Sequence, residues 1–523
     1  MDDKSQTVIG VTQQSEAVIS PRIRKYIIIA SLLALFLGAL DALVMSAATP
    51  TIVADLGGFH LYSWVYSAYF LARAVALPVF GKLADIYRSR RLFIISICIF
   101  MLGSILAGLA QSMMQLIISR VLQGIGAGGN FALVYIVLAD ISRPEERGKT
   151  MSLGSFIWGL ASVLGPTFGG FVVTYFSWRW IFFVNVPLGA ISLLVIALFL
   201  VDVREKKKEA AIDYWGAITL STAILGLLTV FLLAGRSFDW VSPQIIGLSI
   251  ITIAAGIAFY YAEKKAREPI LSLDFFSSRG FSIGNGSAFL ASFTIFTLFA
   301  YSPLFIQGAL GKTPLQMSVA MLTMSLGWSI GALVCGQMVN RFGQKPSTIF
   351  GCLCLVVGGG VMVTFSADTS LTACSIVLGL DGIGMGFVSM ATLLVVQDSL
   401  DISDLGVATS SHQFARTLGG TIGVGVSGSF VTMTLSNVME SLMKTDLKNL
   451  PPSLNIEIKQ NIENIFRPEI QAVLAPEIQK AVQEAVARGV LTVFWITFFS
   501  ALLCLLLSVL IPVRSVPRPQ KGS

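Results

Sequence analysis

The sequence predicts an all-α integral membrane protein with fourteen transmembrane helices, arranged as two six-helix halves with an inserted helix pair between them. Three observations carry this expectation. Only 12% of the 523 residues are charged and 54% are hydrophobic, whereas an ordinary soluble domain carries about 25% charged residues. Fourteen apolar runs reach the length of about 20 residues that a helix needs to cross a bilayer. Two sequence elements also recur at one constant offset along the chain.

In chain order, residues 1–25 are expected to form a polar cytoplasmic tail, because MDDKSQTVIGVTQQSEAVIS lacks the apolar stretch of a cleaved signal peptide. Spans are expected at 26–48, 62–83, 92–110, 113–139, 149–174 and 180–200, which together make an N-terminal half over 26–200. The inserted pair, 214–234 and 243–262, lies with its linkers in 201–280. A C-terminal half over 281–511 contains spans at 281–308, 314–339, 347–366, 371–396, 405–434 and 490–511, and a second cytoplasmic tail covers 512–523. An even number of crossings puts both ends on one side. The loops and tails of that side hold 24 Lys and Arg residues, against Arg179, Arg236 and Lys312 in the short loops opposite. By the positive-inside rule both termini are cytoplasmic and the protein resides in a cell membrane, plasma or inner. The net charge of +7 is therefore a topology signal, and no nucleic-acid partner is expected.

The recurring elements are GKLADIYRSRR, which begins at Gly81, and GQMVNRFGQK, which begins at Gly336. The same offset carries Gly165 of LGPTFGG onto Gly420 of RTLGGTIGVG. Matching elements in the same order indicate a parallel duplication, a plan common among secondary transporters.

Residue by residue, these strings have physical roles. Gly81 removes a Cβ where another helix must come close. Asp85 is placed to cap the next helix or to pair with Arg90 and Arg91, as a latch at the cytoplasmic end. In ASVLGPTFGG, Pro166 removes a backbone hydrogen bond, while Gly165, Gly169 and Gly170 present a surface without side chains, suited to a sliding seal between the halves. The chain resembles the fourteen-helix drug:proton antiporter branch of the major facilitator superfamily. GKLADIYRSRR is similar to that family's motif A, with Gly81, Leu83, Asp85 and Arg90 in place and departures at Ile86 and Arg88. LIISRVLQGIGAGG resembles motif B through Arg120, Gln123 and Gly124. ASVLGPTFGG resembles the antiporter motif C, with Ala161 in place of its first glycine. LDALVMSAATPTI and WRWIFFVNVPLG resemble further motifs of the branch.

Charges inside the spans are the most informative set. Asp41, Arg73, Arg120, Asp381 and Arg416 all fall within apolar runs, where a lone ion costs roughly 2.5–3.5 kcal/mol on insertion scales. They are the candidates for proton coupling and substrate binding. Asp41 would exchange a proton for a substrate cation, with Arg120 biasing it. Arg73 has no acidic neighbour on its own helix. His412 lies one turn before Arg416 and is a candidate proton relay.

Other chemistries are excluded or unsupported. GKT occurs at 148–150 and 311–313, but Arg143 and Ile306 stand where a phosphate-cradling loop needs glycine, so ATP is not the expected energy source. With His60 and His412 as the whole histidine complement, no catalytic or metal constellation is evident, and no cofactor is expected. The six cysteines lie in apolar runs without disulfide or zinc spacing. Residues 436–489 read as an extracytoplasmic loop with amphipathic helices, interrupted at Pro468 and Pro476. The resemblance and these charges together imply a non-enzymatic, proton-driven exporter of amphipathic, cationic drugs working by alternating access. The alternative is a lipid or glycolipid exporter that uses the 436–489 segment, with membrane lipid as partner. A non-transporting scaffold is disfavoured by the cost of the buried charges.

Overall fold

The computed structural model describes residues 20–56, 62–143, 146–202, 213–234, 238–266, 272–445 and 476–512. These fold into α1 (Pro21–Leu56), α2 (Tyr62–Ile86), α3 (Ser89–Gly108), α4 (Met113–Asp140), α5 (Arg147–Tyr175), α6 (Trp180–Phe183), α7 (Asn185–Phe199), α8 (Tyr214–Leu233) and α9 (Pro243–Lys265). They continue with α10 (Arg279–Leu304), α11 (Pro314–Phe342), α12 (Gln344–Met362), α13 (Leu371–Gln397), α14 (Leu405–Thr445) and α15 (Pro476–Val509). A chain that must satisfy its backbone without water has little choice but helix.

Each of the fourteen predicted runs is helical, with α6 and α7 together filling one and a π-helical turn at Phe305–Ala309 extending α10. By length and hydropathy, twelve helices of the described residues qualify as membrane spans. The other two of the fourteen, α5 and α14, are 29 and 41 residues long and contain side chains that lie outside the described ones. At both described ends of the expected loop 436–489 the chain is helical. Residues to Thr445 continue α14, and Pro476 opens α15, the first-turn position where proline's missing N–H costs nothing. Residues 446–475, including Pro468, lie outside the described residues.

Local signals explain the boundaries. Ser112 caps α4 by accepting from the Gln115 amide at 3.3 Å. The string TPLQ forms a capping box at α11, where Thr313 and Gln316 exchange side-chain and backbone hydrogen bonds of 3.3 and 3.1 Å. Gly343, at φ +92°, makes the turn between α11 and α12.

The chain divides into two compact units. The first takes the described residues within Met1–Ser221, Gly256–Phe281 and Val396–Phe414, and the second those within Thr222–Ala255, Ser282–Val395 and Ala415–Ser523. In the first, a core of Leu40, Val44, Met45, Val65, Leu116 and Phe182 joins α1, α2, α4 and α6. A glycine-rich face of α4 lets its neighbours close in. A Cβ on Gly124 would stand 2.4 Å from the Tyr69 carbonyl oxygen, and one on Gly128 2.6 Å from that of Arg73, both on α2. On the side towards α3, a Cβ on Gly126 would meet the Phe100 amide nitrogen at 2.4 Å. The second unit repeats the device between α11 and α13. There Gly327 and Gly331 press on Gly379 and Ile383, and Gly382 and Gly386 on Met324 and Trp328. Its aromatic centre is Phe305, Phe365 and Phe494, with ring centroids 5.3–6.2 Å apart. Within a bilayer, where apolar burial gives little drive, such close approach holds helices together.

Candidate functional site

Asp41, near the middle of α1, is 1% exposed, and so is Arg120 on α4. The Arg120 guanidinium donates to Asp41 Oδ2 at 2.5 Å and to Gln123 Oε1 at 2.6 Å. Gln123 Nε2 donates to Asp41 Oδ1 at 2.8 Å, and Asn185 Nδ2 to the same oxygen at 3.2 Å. Ser104 Oγ accepts from Gln123 Nε2 at 2.8 Å and from Asn185 Nδ2 at 2.9 Å. Arg120 Nε donates to the Val65 carbonyl at 3.3 Å, and its guanidinium stacks 4.2 Å from the Tyr69 ring. Asp41 is thus a carboxylate with three donors to its two oxygens, compensated by a cation that is itself fully engaged. Such a buried pair survives only with this degree of satisfaction.

The geometry follows from the packing. The glycines of α4 bring it against α2 and α3, so that Arg120 and Gln123, one turn apart, both reach α1. Gln123, Ser104, Asn185 and Tyr69 were not singled out as site residues from the sequence. Gln123 and Asn185 did lie in strings that carry the resemblance, and the spacing from Arg120 to Gln123 is that of helical neighbours. Ser104 and Tyr69 had no such signal.

The other predicted residues distribute as follows. The sequence placed Asp85 to cap the next helix or to pair with Arg90 and Arg91. Its carboxylate accepts from the Gly406 and Val407 amides at 2.8 and 2.9 Å, at the N-terminus of α14. Free amides and the helix dipole make that end a better partner than solvated arginines. Gly81 permits the approach, since a Cβ there would meet Ser410 Oγ at 2.0 Å. Arg90 turns elsewhere, donating from its side chain to the Ala197 carbonyl and from its backbone to Asp202 at 3.2 Å. Arg91 is exposed.

Gly165 faces α1 within the first unit, where a Cβ would come 2.7 Å from that of Leu43. It therefore permits tight packing two residues from Asp41. Gly169 is buried, and Gly170 has open space where a Cβ would be. Pro166 lies within α5, with its side chain outside the described ones. Arg73 is 8% exposed, among the rings of Phe131, Trp158 and Phe70. In the second unit Asp381 is wholly buried against Gly358, with no hydrogen-bond partner for either oxygen among the described residues. Arg416 lies 5.3 Å from the Trp328 ring. His412 is buried in the part of α14 that belongs to the first unit. The fold therefore assembles Asp41 and Arg120 and leaves Asp381 and Arg73 each in its own surroundings.

Outside the spans, Trp178 and Arg179 hydrogen-bond the Asp55 carboxylate at 2.9 and 3.0 Å, and hold its pKa below the usual aspartate range. Arg24 pairs with Glu146 at 2.7 Å and holds that carboxylate low in the same way.

Comparison with known proteins agrees with this architecture. The chain is 32% identical over 473 residues to the multidrug transporter protein MdtP of Bacillus subtilis, covering 90% of this chain and 87% of that one. It is also 32% identical to multidrug resistance protein 3 of the same organism, over 90% of this chain and 91% of the other. It is 30% identical to the efflux pump FUS6 of Gibberella fujikuroi, over 81% of this chain and 78% of the pump. The human organic anion transporter MFSD10 shares the fold, with a TM-score of 0.60 at 16% identity, covering 92% of this chain and 100% of that structure. The sequence model of the Major Facilitator Superfamily matches residues 30–424, and the chain belongs to that family of membrane transporters.

Proposed function

We propose that this transporter is a proton-coupled antiporter of the fourteen-helix branch, exporting amphipathic compounds by alternating access, with both termini in the cytoplasm. The observation that carries the reading is the Asp41 network. A mid-helix carboxylate with 1% exposure, paired to one arginine and two amides, is a group whose protonation state must reorganise its surroundings. Adding a proton cancels the charge that holds Arg120, and Gln123 then loses an acceptor for its amide. Removing the proton restores the pair. An exporter that alternates between these two states couples proton entry to a change of conformation. The latch made by Asp85 on α14 is the counterpart at the cytoplasmic end, where breaking two amide hydrogen bonds frees that helix terminus. Asp381, with both oxygens unpartnered among the described residues, is a second carboxylate able to take a proton or a cationic group.

The test is transport in proteoliposomes under an imposed pH gradient, with ethidium as the cargo. Uptake into inside-out vesicles should collapse with a protonophore and be lost in Asp41→Asn, while insertion is unchanged. Gradient-driven uptake at the unmodified rate by Asp41→Asn would overturn the proton-carrying role.

A further inference from the structure

Each unit holds one aspartate deep inside a span, and their surroundings are opposite. Asp41 in the first unit has a guanidinium and two side-chain amides on its oxygens. Asp381 in the second unit stands near the middle of α13 and is wholly buried. Neither of its carboxyl oxygens has a hydrogen-bond partner among the described residues. An ionised carboxylate is tolerated in an apolar interior when donors and a counter-ion compensate it. Without them the group is held neutral, with a proton on it.

The neighbouring elements supply no counter-charge. α11 turns Thr323, Met324 and Trp328 to α13, together with the Cys335 thiol, which is directed to the Phe387 carbonyl at 3.7 Å. α12 turns Gly358 and Cys354 to it, the Cys354 thiol being close enough to feel a charge on Asp381. Arg416 of α14 lies 5.3 Å from the Trp328 ring, and no ion pair joins it to Asp381 among the described residues. Room for the carboxyl comes from Gly358, where a Cβ would stand 2.0 Å from Asp381 Oδ1 and 2.6 Å from its Cγ. A cradle this close leaves no berth for an ammonium group, whereas a proton adds no volume. The hydroxyls on these helices show how a neutral acid is satisfied. Thr323 Oγ1 donates to the Ser375 carbonyl at 2.7 Å and Thr392 Oγ1 to the Val388 carbonyl at 2.6 Å, and the O–H of a carboxylic acid can do the same.

We propose that Asp381 is a second proton-binding site, loaded in this conformation and unloaded in the alternate one. Its part in transport rests on the transport reading above and adds a stoichiometry to it. With Asp41 as the sole carrier, exchange of one proton for one monovalent cation moves no net charge. With a carrier in each unit, two protons cross for each monovalent cation expelled, and every cycle moves one positive charge inward. The membrane potential then drives export together with the pH gradient.

The experiment has two arms, both on the full-length protein. The first is infrared spectroscopy at neutral pH in nanodiscs of ether-linked lipid, which has no ester carbonyl to mask the signal, without gradient or cargo. The C=O stretch of a protonated carboxyl should be present in the unmodified protein and lost in Asp381→Asn. Its absence from the unmodified protein would overturn the proposal without recourse to any variant, and so would an undiminished band in Asp381→Asn. The second arm is ethidium uptake by inside-out proteoliposomes. A lumen-positive potassium diffusion potential, imposed at equal pH, should raise accumulation by the unmodified protein, although that potential repels the free cation. Asp381→Asn should lose this response, and its steady-state accumulation should fall by about tenfold for each unit of imposed pH gradient, since one proton fewer is exchanged. A side chain that only packs would change the rate and leave both the accumulation limit and the potential response as they were; that result would overturn the proposal, as would potential-insensitive uptake by the unmodified protein. Uptake indifferent to a protonophore, with the infrared band present and dependent on Asp381, would refute the transport reading and leave the proton site standing.

Discussion

Replacing Arg120 by methionine removes the only cation paired with Asp41 among the described residues and leaves the stem's volume in place. Asp41 then keeps Gln123 and Asn185 on Oδ1, but Oδ2 loses its donor and the charge loses its counter-ion. Breaking one side of a buried pair costs about 3–5 kcal/mol, and at 1% exposure no discount for solvent applies. Asp41→Asn alone strands the guanidinium, which retains Gln123 Oε1 and the Val65 carbonyl, so its cost falls toward the lower end of that range. The double variant Asp41→Asn/Arg120→Met buries no charge at all. It should recover most of the loss, with a coupling energy of about 2–3 kcal/mol across the cycle. The assay is thermal unfolding of all four proteins in one nanodisc lipid at one scan rate, because unfolding of a membrane protein is read as a rate. Transport under a pH gradient is measured alongside and should be absent from all three variants. Additive destabilisation in the double variant would refute the reasoning, since the two side chains would then be stabilised independently.

Three further outcomes follow from the geometry. Asp85→Ala should expose the first amides of α14 to exchange and destabilise that end by about 1 kcal/mol, the ordinary worth of a helix cap; hydrogen exchange at Gly406 and Val407 reads it directly, and unchanged protection would rule out the latch. Gly165→Ala puts a Cβ 2.7 Å from that of Leu43, so it should separate α5 from α1 and slow transport severely while the protein still inserts, and wild-type turnover would show that the spacing is slack. The Asp55 carboxylate, held below its usual range by Trp178 and Arg179, contributes to stability above the ordinary aspartate value of about 3.9 and loses that contribution only as pH falls through its lowered value. Trp178 fluorescence should therefore stay flat on acidification until below that value, and Arg179→Gln should raise the midpoint; a midpoint already at the ordinary value would show that neither partner acts on it.

Much of the fold was legible in the chain because lipid simplifies the problem. A run of apolar residues about 20 long has one stable conformation in a bilayer, so the helices stand where hydropathy put them. Residues 436–445 and 476–489 are polar, and polarity argues against membrane burial but says nothing against helix, so α14 and α15 run on past the apolar runs. The expensive residues were legible too, because Asp41 and Arg120 stand out against hydrophobic sequence and their mutual cost predicts a partnership.

What the sequence determined by itself was therefore composition-borne: a membrane protein, helical throughout its spans, internally repeated, with a few charges too costly to be idle. Partners were decided by the tertiary structure, because side-chain hydrogen bonds reach about 3 Å and join residues that are remote along the chain. Asp85 illustrates the difference, since its near neighbours Arg90 and Arg91 were the obvious choices and its actual donors lie more than 300 residues away, on the first turn of α14. Arg73 and Arg120 illustrate it again. Both are arginines buried among apolar neighbours, equivalent by any local reading, and only the packing of α1, α2 and α4 gives one of them a carboxylate and leaves the other against aromatic rings.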